Sequence, residues 1–435
     1  MSEEYDLIVA GGKVIDPASG LSSVADIYIK AKKVAKIEVK DLVDLKKSKS
    51  SKEQKIVDAS GKIVAPGLID MHVHLREPGR EDEETIYTGS QAAVAGGFTS
   101  VCCMPNTEPP IDNQESVNFV YERASKALCK VFCVGAATKG LKGEELTEMA
   151  DLKEAGAVAV SDDGMPISSS RIMRSALDYS RMLGWPVISH CEDLNLSSDG
   201  VMNESYTSTL LGLPGIPSLA EEIMVSRDLS LAEFTSGRVH IAHVSTRGSV
   251  ELIRAAKSRG INVTCEATPH HFSLTDEIIK TFDTNARVNP PLRTQRDVDE
   301  IKKGLKDGTI DCIATDHAPH SIEEKDVEFG AAPPGMVGLE TALGLVVTEL
   351  IDKKILTWEK AIAKMTMNPS RILNLNLGRI EKDCRADLTI IDPEISWTVD
   401  TSKFKSKSKN SPFQGRELVG KAWMTIVDGK IVYRL

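Results

Sequence analysis

Pro66-Gly67-Leu68-Ile69-Asp70-Met71-His72-Val73-His74-Leu75-Arg76-Glu77-Pro78-Gly79 closes an apolar run on two histidines one residue apart. Read as a strand over 64–75, the run alternates its side chains between faces. His72 and His74 then point the same way and can reach one metal ion. An H-x-H pair alone is a weak signal, because it also arises by chance. Its weight depends on the rest of the chain. Seven further short apolar, β-branched runs follow, at 99–104, 131–137, 157–161, 186–190, 238–244, 262–266 and 310–315. Amphipathic segments of helical length lie between them at 112–127, 143–155, 168–183, 218–234, 248–259 and 296–304. Eight strands alternating with helices, over a length near the ~250 residues usual for the fold, predict a (β/α)8 TIM barrel. A doubly wound open sheet is the rival. It usually carries a glycine-rich phosphate loop after its first strand, where this chain has His72-Val73-His74.

Both ends of the chain read differently. Residues 1–65 are short strands punctuated by Gly and Pro, and after a helix near 358–367 the chain returns to strands at 386–392 and 422–433. The expected architecture is therefore α/β: a barrel over 64–370 beside a small β-sandwich domain composed of 1–63 and 371–435. The Lys-, Ser- and Asp-rich segment 40–55 reads as a solvated extension rather than a basic binding patch, because Asp41, Asp44 and Glu53 interrupt it.

Composition narrows the function classes. The chain has 435 residues, 41% hydrophobic and 27% charged, with a formal net charge of −10. That charge argues against nucleic-acid or anionic-membrane partners and leaves a small-molecule substrate. No apolar run approaches the ~18 residues of a membrane span, and the acidic N-terminus has no signal-peptide hydrophobic region, so a cytoplasmic location is expected. The eight cysteines include no C-x-x-C pair and read as buried, reduced thiols.

The polar residues then fall into a pattern. Asp162 and Asp163 follow the fourth strand, His190 ends the fifth, His243 ends the sixth and Asp316 ends the eighth. In a barrel all these strand ends meet on the face that carries the active site. Singly, His190 and His243 also read as core histidines, and Asp163 or Asp316 as turn or cap residues. Together they read as a metal site with ligands suited to Zn²⁺ or a similar divalent ion. The donors outnumber the positions of one tetrahedral ion, which points to two ions with a carboxylate between them. Coordination lowers the pKa of water toward ~7, making a bridging hydroxide available as nucleophile. His240, His270, His271 and His317 are expected in structural, loop or supporting roles.

The opening stretch, with Met104-Pro105-Asn106-Thr107, Ser161-Asp162-Asp163-Gly164, Val288-Asn289-Pro290-Pro291-Leu292-Arg293, Thr315-Asp316-His317-Ala318-Pro319-His320 and Pro412-Phe413-Gln414-Gly415-Arg416-Glu417-Leu418, resembles the cyclic amidohydrolases, and as a set the bacterial class I dihydroorotases. The resemblance implies reversible cyclisation of N-carbamoyl-L-aspartate to L-dihydroorotate in pyrimidine biosynthesis, with two Zn²⁺ per subunit. It assigns His72, His74 and Asp316 to one ion, and His190 and His243 to the other. Asp163, chosen over Asp162 by its spacing to His190, bridges them. It makes Asp316 the catalytic acid–base. Arg76, Asn106 and His320 would take the substrate carboxylate, Asn289 the ring, and Pro334-Gly335 backbone contacts. Many relatives carry an aromatic residue at the position of Pro334. The loop 318–335 is expected to act as a lid. Allantoinases and hydantoinases, the enzymatic alternative, and some dihydroorotases bridge their metals with a carboxylated lysine after strand 4, and 156–161 holds no lysine, which favours the class I dihydroorotases. The resemblance further implies a homodimer. A non-catalytic scaffold subunit, associated with another pyrimidine-pathway enzyme, is the remaining alternative.

Overall fold

The computed structural model describes residues 4–40 and 55–435, so the segment expected to be a solvated extension lies, between its ends Lys40 and Lys55, outside the described residues. Eight parallel strands pair in chain order: β1 (Leu68–Val73), β2 (Phe98–Cys103), β3 (Lys130–Ala136), β4 (Ala159–Ser161), β5 (Pro186–Ser189), β6 (Arg238–Ile241), β7 (Val263–Ala267) and β8 (Cys312–Ile313). The expected eighth strand, 310–315, is reduced to two residues. The seam between β8 and β1 is closed by other means: a Val73–His317 bridge, His74 N–H donating to His317 O at 2.8 Å, and the buried Asp70 carboxylate accepting from Thr315 N at 3.1 Å. This is the predicted TIM barrel, with β1 buried along its whole length as a central parallel strand requires.

Helices cover the barrel because their apolar positions recur at helical spacing. Ser170–Leu183 turns Ile172, Met173, Ala176, Leu177 and Ser180 inward, is capped by Ser169, and stops at Gly184 in the left-handed region. The helix expected over 143–155 is only Met149–Glu154. Several short helices and one of eleven residues escaped the periodicity argument; the latter is Ile86–Gly96, whose Ala- and Gly-rich run is buried on more than one face. At Gly96 a Cβ would sit 2.1 Å from Leu339 O, so backbone packs on backbone there.

The termini form one mixed sheet in the order Lys430–Arg434, Glu417–Val427, Leu388–Thr398, Ile63–Pro66, Leu7–Asp16, Leu21–Lys30, Lys33–Val39, with Lys55–Asp58 on the other half of Leu7–Asp16. Its edge strand Lys33–Val39 bonds the segment leading into Leu388–Thr398 (Val34 N–H to Cys384 O, 2.9 Å), and Ile27, Ile29, Leu388, Ile390 and Met424 from its two halves share one core. The expected β-sandwich is thus a single sheet folded over.

The single strand read over 64–75 is a correction. Ile63–Pro66 belongs to the terminal sheet and Leu68–Val73 to the barrel. The chain changes sheets at Gly67, whose N–H donates to Asp387 O at 2.9 Å and where a Cβ would lie 2.0 Å from Thr99 Oγ1. All eight cysteines are free thiols, seven of them buried. Among the described residues no helix is long and apolar enough to cross a membrane.

Candidate metal centre and active site

His72 lies in β1, and His74, Asp163, His190, His243 and Asp316 follow within three residues of the ends of β1, β4, β5, β6 and β8. Parallel pairing in chain order brings all six to one end of the barrel, where they are buried. Asp163 stands in the middle. Its Oδ2 is 3.3 Å from His72 Nε2 and 3.4 Å from His74 Nε2, while its Oδ1 is 3.4 Å from His243 Nε2 and 3.9 Å from His190 Nδ1. One carboxylate oxygen therefore faces each histidine pair. Asp316 Oδ1 completes the first group at 3.0 Å from His74 Nε2 and 3.6 Å from His72 Nε2.

Asp162 points away. Its Oδ1 accepts from the N–H groups of Ala137 and Thr138, both at 2.9 Å, and its Oδ2 from the Thr138 hydroxyl. It ties the end of β4 to the end of β3, and Asp163 alone of the pair enters the cluster.

The donor set fits a divalent metal. His72 Nε2, Asp163 Oδ1 and His243 Nδ1 are buried without a hydrogen-bond partner, a state costing about 1–3 kcal/mol per group when nothing satisfies it. The first two lie inside the cluster. On three of the four histidines the ring nitrogen facing away from the cluster is bound to an acceptor: His72 Nδ1 to Glu266 Oε1 (2.6 Å), His74 Nδ1 to Asn106 Oδ1 (2.8 Å) and His190 Nε2 to Glu192 Oε2 (3.0 Å). An acceptor on the outer nitrogen keeps the hydrogen there and leaves the inner lone pair free for a ligand bond. Glu266 is held ionised, at a pKa of about 2, because His72 and His240 outweigh the burial that would raise it. Arg76, His243 and Asp316 have φ of 60°, 31° and 49°. Backbone strain on non-glycine residues gathers at functional sites.

Above the cluster lies a cavity of about 140 Å³. Arg76, Asn106, Asn289, His320, Pro334 and Gly335 line it together with His74, Asp163, His190, His243 and Asp316. His72 sits beneath. Arg76 donates through Nε to Pro319 O at 3.1 Å, and Asn289 Nδ2 donates to Glu192 Oε2 at 2.8 Å. The backbone groups of Pro334 and Gly335 are already engaged: Pro334 O faces His320 Nε2 at 3.0 Å, Gly335 N–H donates to Arg287 O, and Gly335 O accepts from Asn410 Nδ2.

A family profile described as "Dihydro-orotase-like" matches residues 61–249, and one described as "Amidohydrolase family" matches 227–433. A protein of Pelotomaculum thermopropionicum named dihydroorotase is 56% identical over 426 residues, 98% of both chains. One from Geobacter metallireducens with the same name is 53% identical over 430 residues, covering 99% of this chain and 100% of that one.

The chain belongs to the dihydroorotase family.

Among solved structures, an L-hydantoinase (dihydropyrimidinase) from Arthrobacter aurescens superposes with a TM-score of 0.87 at 26% identity, over 99% of this chain and 96% of that one. A dihydropyrimidinase from Brevibacillus agri shares the fold alone, with a TM-score of 0.84 at 21% identity over 98% and 95%. The amidohydrolase assignment brings metal dependence with it, in agreement with the His/Asp cluster.

Sequence reasoning missed the supporting carboxylates Glu266 and Glu192. Glu266 had a signal: a lone charged residue within the apolar β7 run Val263-Thr264-Cys265-Glu266-Ala267. His240 bonds Glu266 Oε2 (3.2 Å) and Thr264 Oγ1 (2.8 Å), a structural role. His271 bridges Thr268 and Pro290 O in a loop, and His317 accepts from Gly338 N–H and faces Glu84.

Proposed function

We propose that the chain interconverts L-dihydroorotate and N-carbamoyl-L-aspartate. The observation carrying this reading is Asp163, with one oxygen toward His72 and His74 and the other toward His190 and His243, beneath a cavity lined by Arg76, Asn106 and His320. In this reading His72, His74 and Asp316 would hold one Zn²⁺ and His190 and His243 a second, with Asp163 shared between the two groups. When bound, the ions supply a water acidic enough to attack near neutral pH and polarise the scissile carbonyl.

The chain's own residues do the rest. Asp316 takes the proton of the attacking water and returns it to the ring nitrogen as the amide bond breaks, acting as base and then acid. Arg76 offers the substrate carboxylate a planar fork of donors, and Asn106 and His320 flank it. Fixing that carboxylate holds the ring carbonyl over the cluster, an orientation effect. Glu192 holds Asn289 and His190 together, linking the ring contact to the metal centre. Ring opening converts dihydroorotate and water into carbamoyl aspartate with a second carboxylate and one released proton, so acid favours cyclisation and base favours hydrolysis. A cytoplasmic location and a homodimer belong to the same reading.

The test is turnover of dihydroorotate, allantoin and dihydrouracil side by side, before and after chelation, with elemental analysis. Turnover of dihydroorotate alone, lost with about two zinc ions per chain and restored by zinc, is expected. A preference for allantoin or dihydrouracil, or undiminished activity in metal-free protein, overturns the reading.

A further inference from the structure

Beside the cavity lies a buried carboxylate that the reaction does not use. Glu83, in the loop between β1 and the helix Ile86–Gly96, has a fully buried side chain. Its Oε1 lies 3.0 Å from His320 Nδ1 and 2.6 Å from Arg80 Nη2, and its Oε2 lies 3.1 Å from Arg76 Nε. Arg76 is itself buried, and its Nε hydrogen is directed at Pro319 O, so Glu83 and Pro319 together occupy the Nε edge of the guanidinium. On the other side of the guanidinium Nη2 lies 3.4 Å from His320 Nε2, and both residues line the cavity. On the imidazole, Glu83 and Glu324 (3.0 Å) both accept at Nδ1, which turns Nε2 toward the cavity wall at Pro334. A buried guanidinium without a counter-ion is strongly unfavourable, and one held from a single edge keeps its fork in one orientation.

We infer that Glu83 is the positioning residue of the carboxylate clamp: one buried side chain holds Arg76 and His320 in register with each other, and through that sets the affinity for a ring-borne carboxylate. The inference rests on the dihydroorotase reading for the identity of that carboxylate. Two effects of Glu83 oppose each other. Its negative charge repels an anionic substrate, whereas its contacts aim the two groups that bind it. Glu83→Asp separates them, because the charge stays and its oxygens withdraw by about 1.5 Å, the length of one carbon–carbon bond.

The measurements are steady-state kinetics with dihydroorotate, calorimetric binding of orotate (a ring analogue with the same carboxylate) and metal content. For Glu83→Asp we expect KM for dihydroorotate and Kd for orotate to rise together by roughly 10- to 100-fold, the value of one charge-assisted hydrogen bond. Turnover number should change by no more than about threefold, because Asp316 and the cluster are untouched, and metal content should stay at the wild-type value. Should Glu83→Asp not fold, Glu83→Gln serves: an amide keeps an acceptor for His320 but removes the charge paired with Arg76, and KM and Kd again rise together. Wild-type KM and Kd in the variant that folds overturn the inference, as does a fall in turnover and metal content with KM unchanged, the signature of a merely structural role. Wild-type protein that binds orotate without turning over dihydroorotate fails the reaction alone, and the Kd comparison still decides Glu83. Wild-type protein that does neither overturns both.

Discussion

Asp162 and Asp163 are neighbours in sequence, both buried, yet replacing each by alanine should damage different properties. Asp162→Ala leaves the Thr138 N–H and hydroxyl at the β3–β4 junction without their acceptor, while the Ala137 N–H keeps Ser161 O at 3.1 Å. At about 1–3 kcal/mol for each of these two groups the loss would be about 2–6 kcal/mol. Burial already pushes the Asp162 carboxyl up to about 6 despite those three donors, so its desolvation offsets much of their benefit. A loss in the lower half of that range, about 3 kcal/mol, is therefore expected. Melting entropy near ~2.1 cal/mol/K per residue gives about 0.9 kcal/mol per kelvin for 435 residues, hence a fall in Tm of about 3 °C. Metal content should stay unchanged. Asp163 has one oxygen without a hydrogen-bond partner and the other only at 3.3–3.4 Å from two imidazoles. Asp163→Ala should melt within about 2 °C of wild type once both are stripped of metal, yet retain at most one ion per chain and lose turnover. Calorimetry on chelated protein and elemental analysis on reconstituted protein read the two effects independently. An Asp162→Ala protein that loses metal at unchanged Tm, or an Asp163→Ala protein that still holds two ions, would refute the division of labour.

Other perturbations follow from particular contacts. Glu266→Gln removes the charge that holds the hydrogen on His72 Nδ1 and should weaken metal binding by ~10–100-fold, measured by competition with a chelator; unchanged affinity would deny Glu266 that role. Gly67→Ala pushes a methyl into Thr99 and should cost about 1–3 kcal/mol, most of it recovered in the double variant with Thr99→Ala; a stability equal to wild type would show that the sheet change at Gly67 has room to spare. Glu340, accepting from Lys405 N–H and Ser406 N–H, has its carboxyl raised to about 7 by burial, with Glu84 adding to the rise and Lys409 opposing it. The folded protein then holds a proton that the unfolded chain releases near its ordinary 4.5, so this contribution to stability is complete below pH 4.5 and fades as pH rises through 7. Glu340→Gln should match wild type at pH 4.5 and melt higher at pH 8; a parallel pH dependence of Tm in both proteins would contradict the assignment.

The barrel was legible because its causes are local. Apolar β-branched runs alternate with amphipathic segments, and each of five strand ends carries His or Asp, so parallel pairing in chain order is enough to gather His72, His74, Asp163, His190, His243 and Asp316. The Ile86–Gly96 helix was missed for an equally physical reason: burial on several faces erases the one-sided pattern that periodicity detects.

What only the folded chain decided is partnership at long range. Periodicity cannot tell Asp162 from Asp163, because either can point inward at the end of a short strand, and the donors of Ala137 and Thr138 make the choice. Nor can it show that the apolar run before His72 is two strands in two sheets, since the break at Gly67 comes from Thr99 on the neighbouring strand. The acceptor that orients His72 lies 194 positions away in Glu266, and the carboxylate that joins Arg76 to His320 is 237 positions from that histidine. Residue types and spacing place a donor at the mouth of a barrel; its tautomer, its aim and its counter-charge depend on which distant side chains fill the hydrogen-bonding positions that burial takes from water.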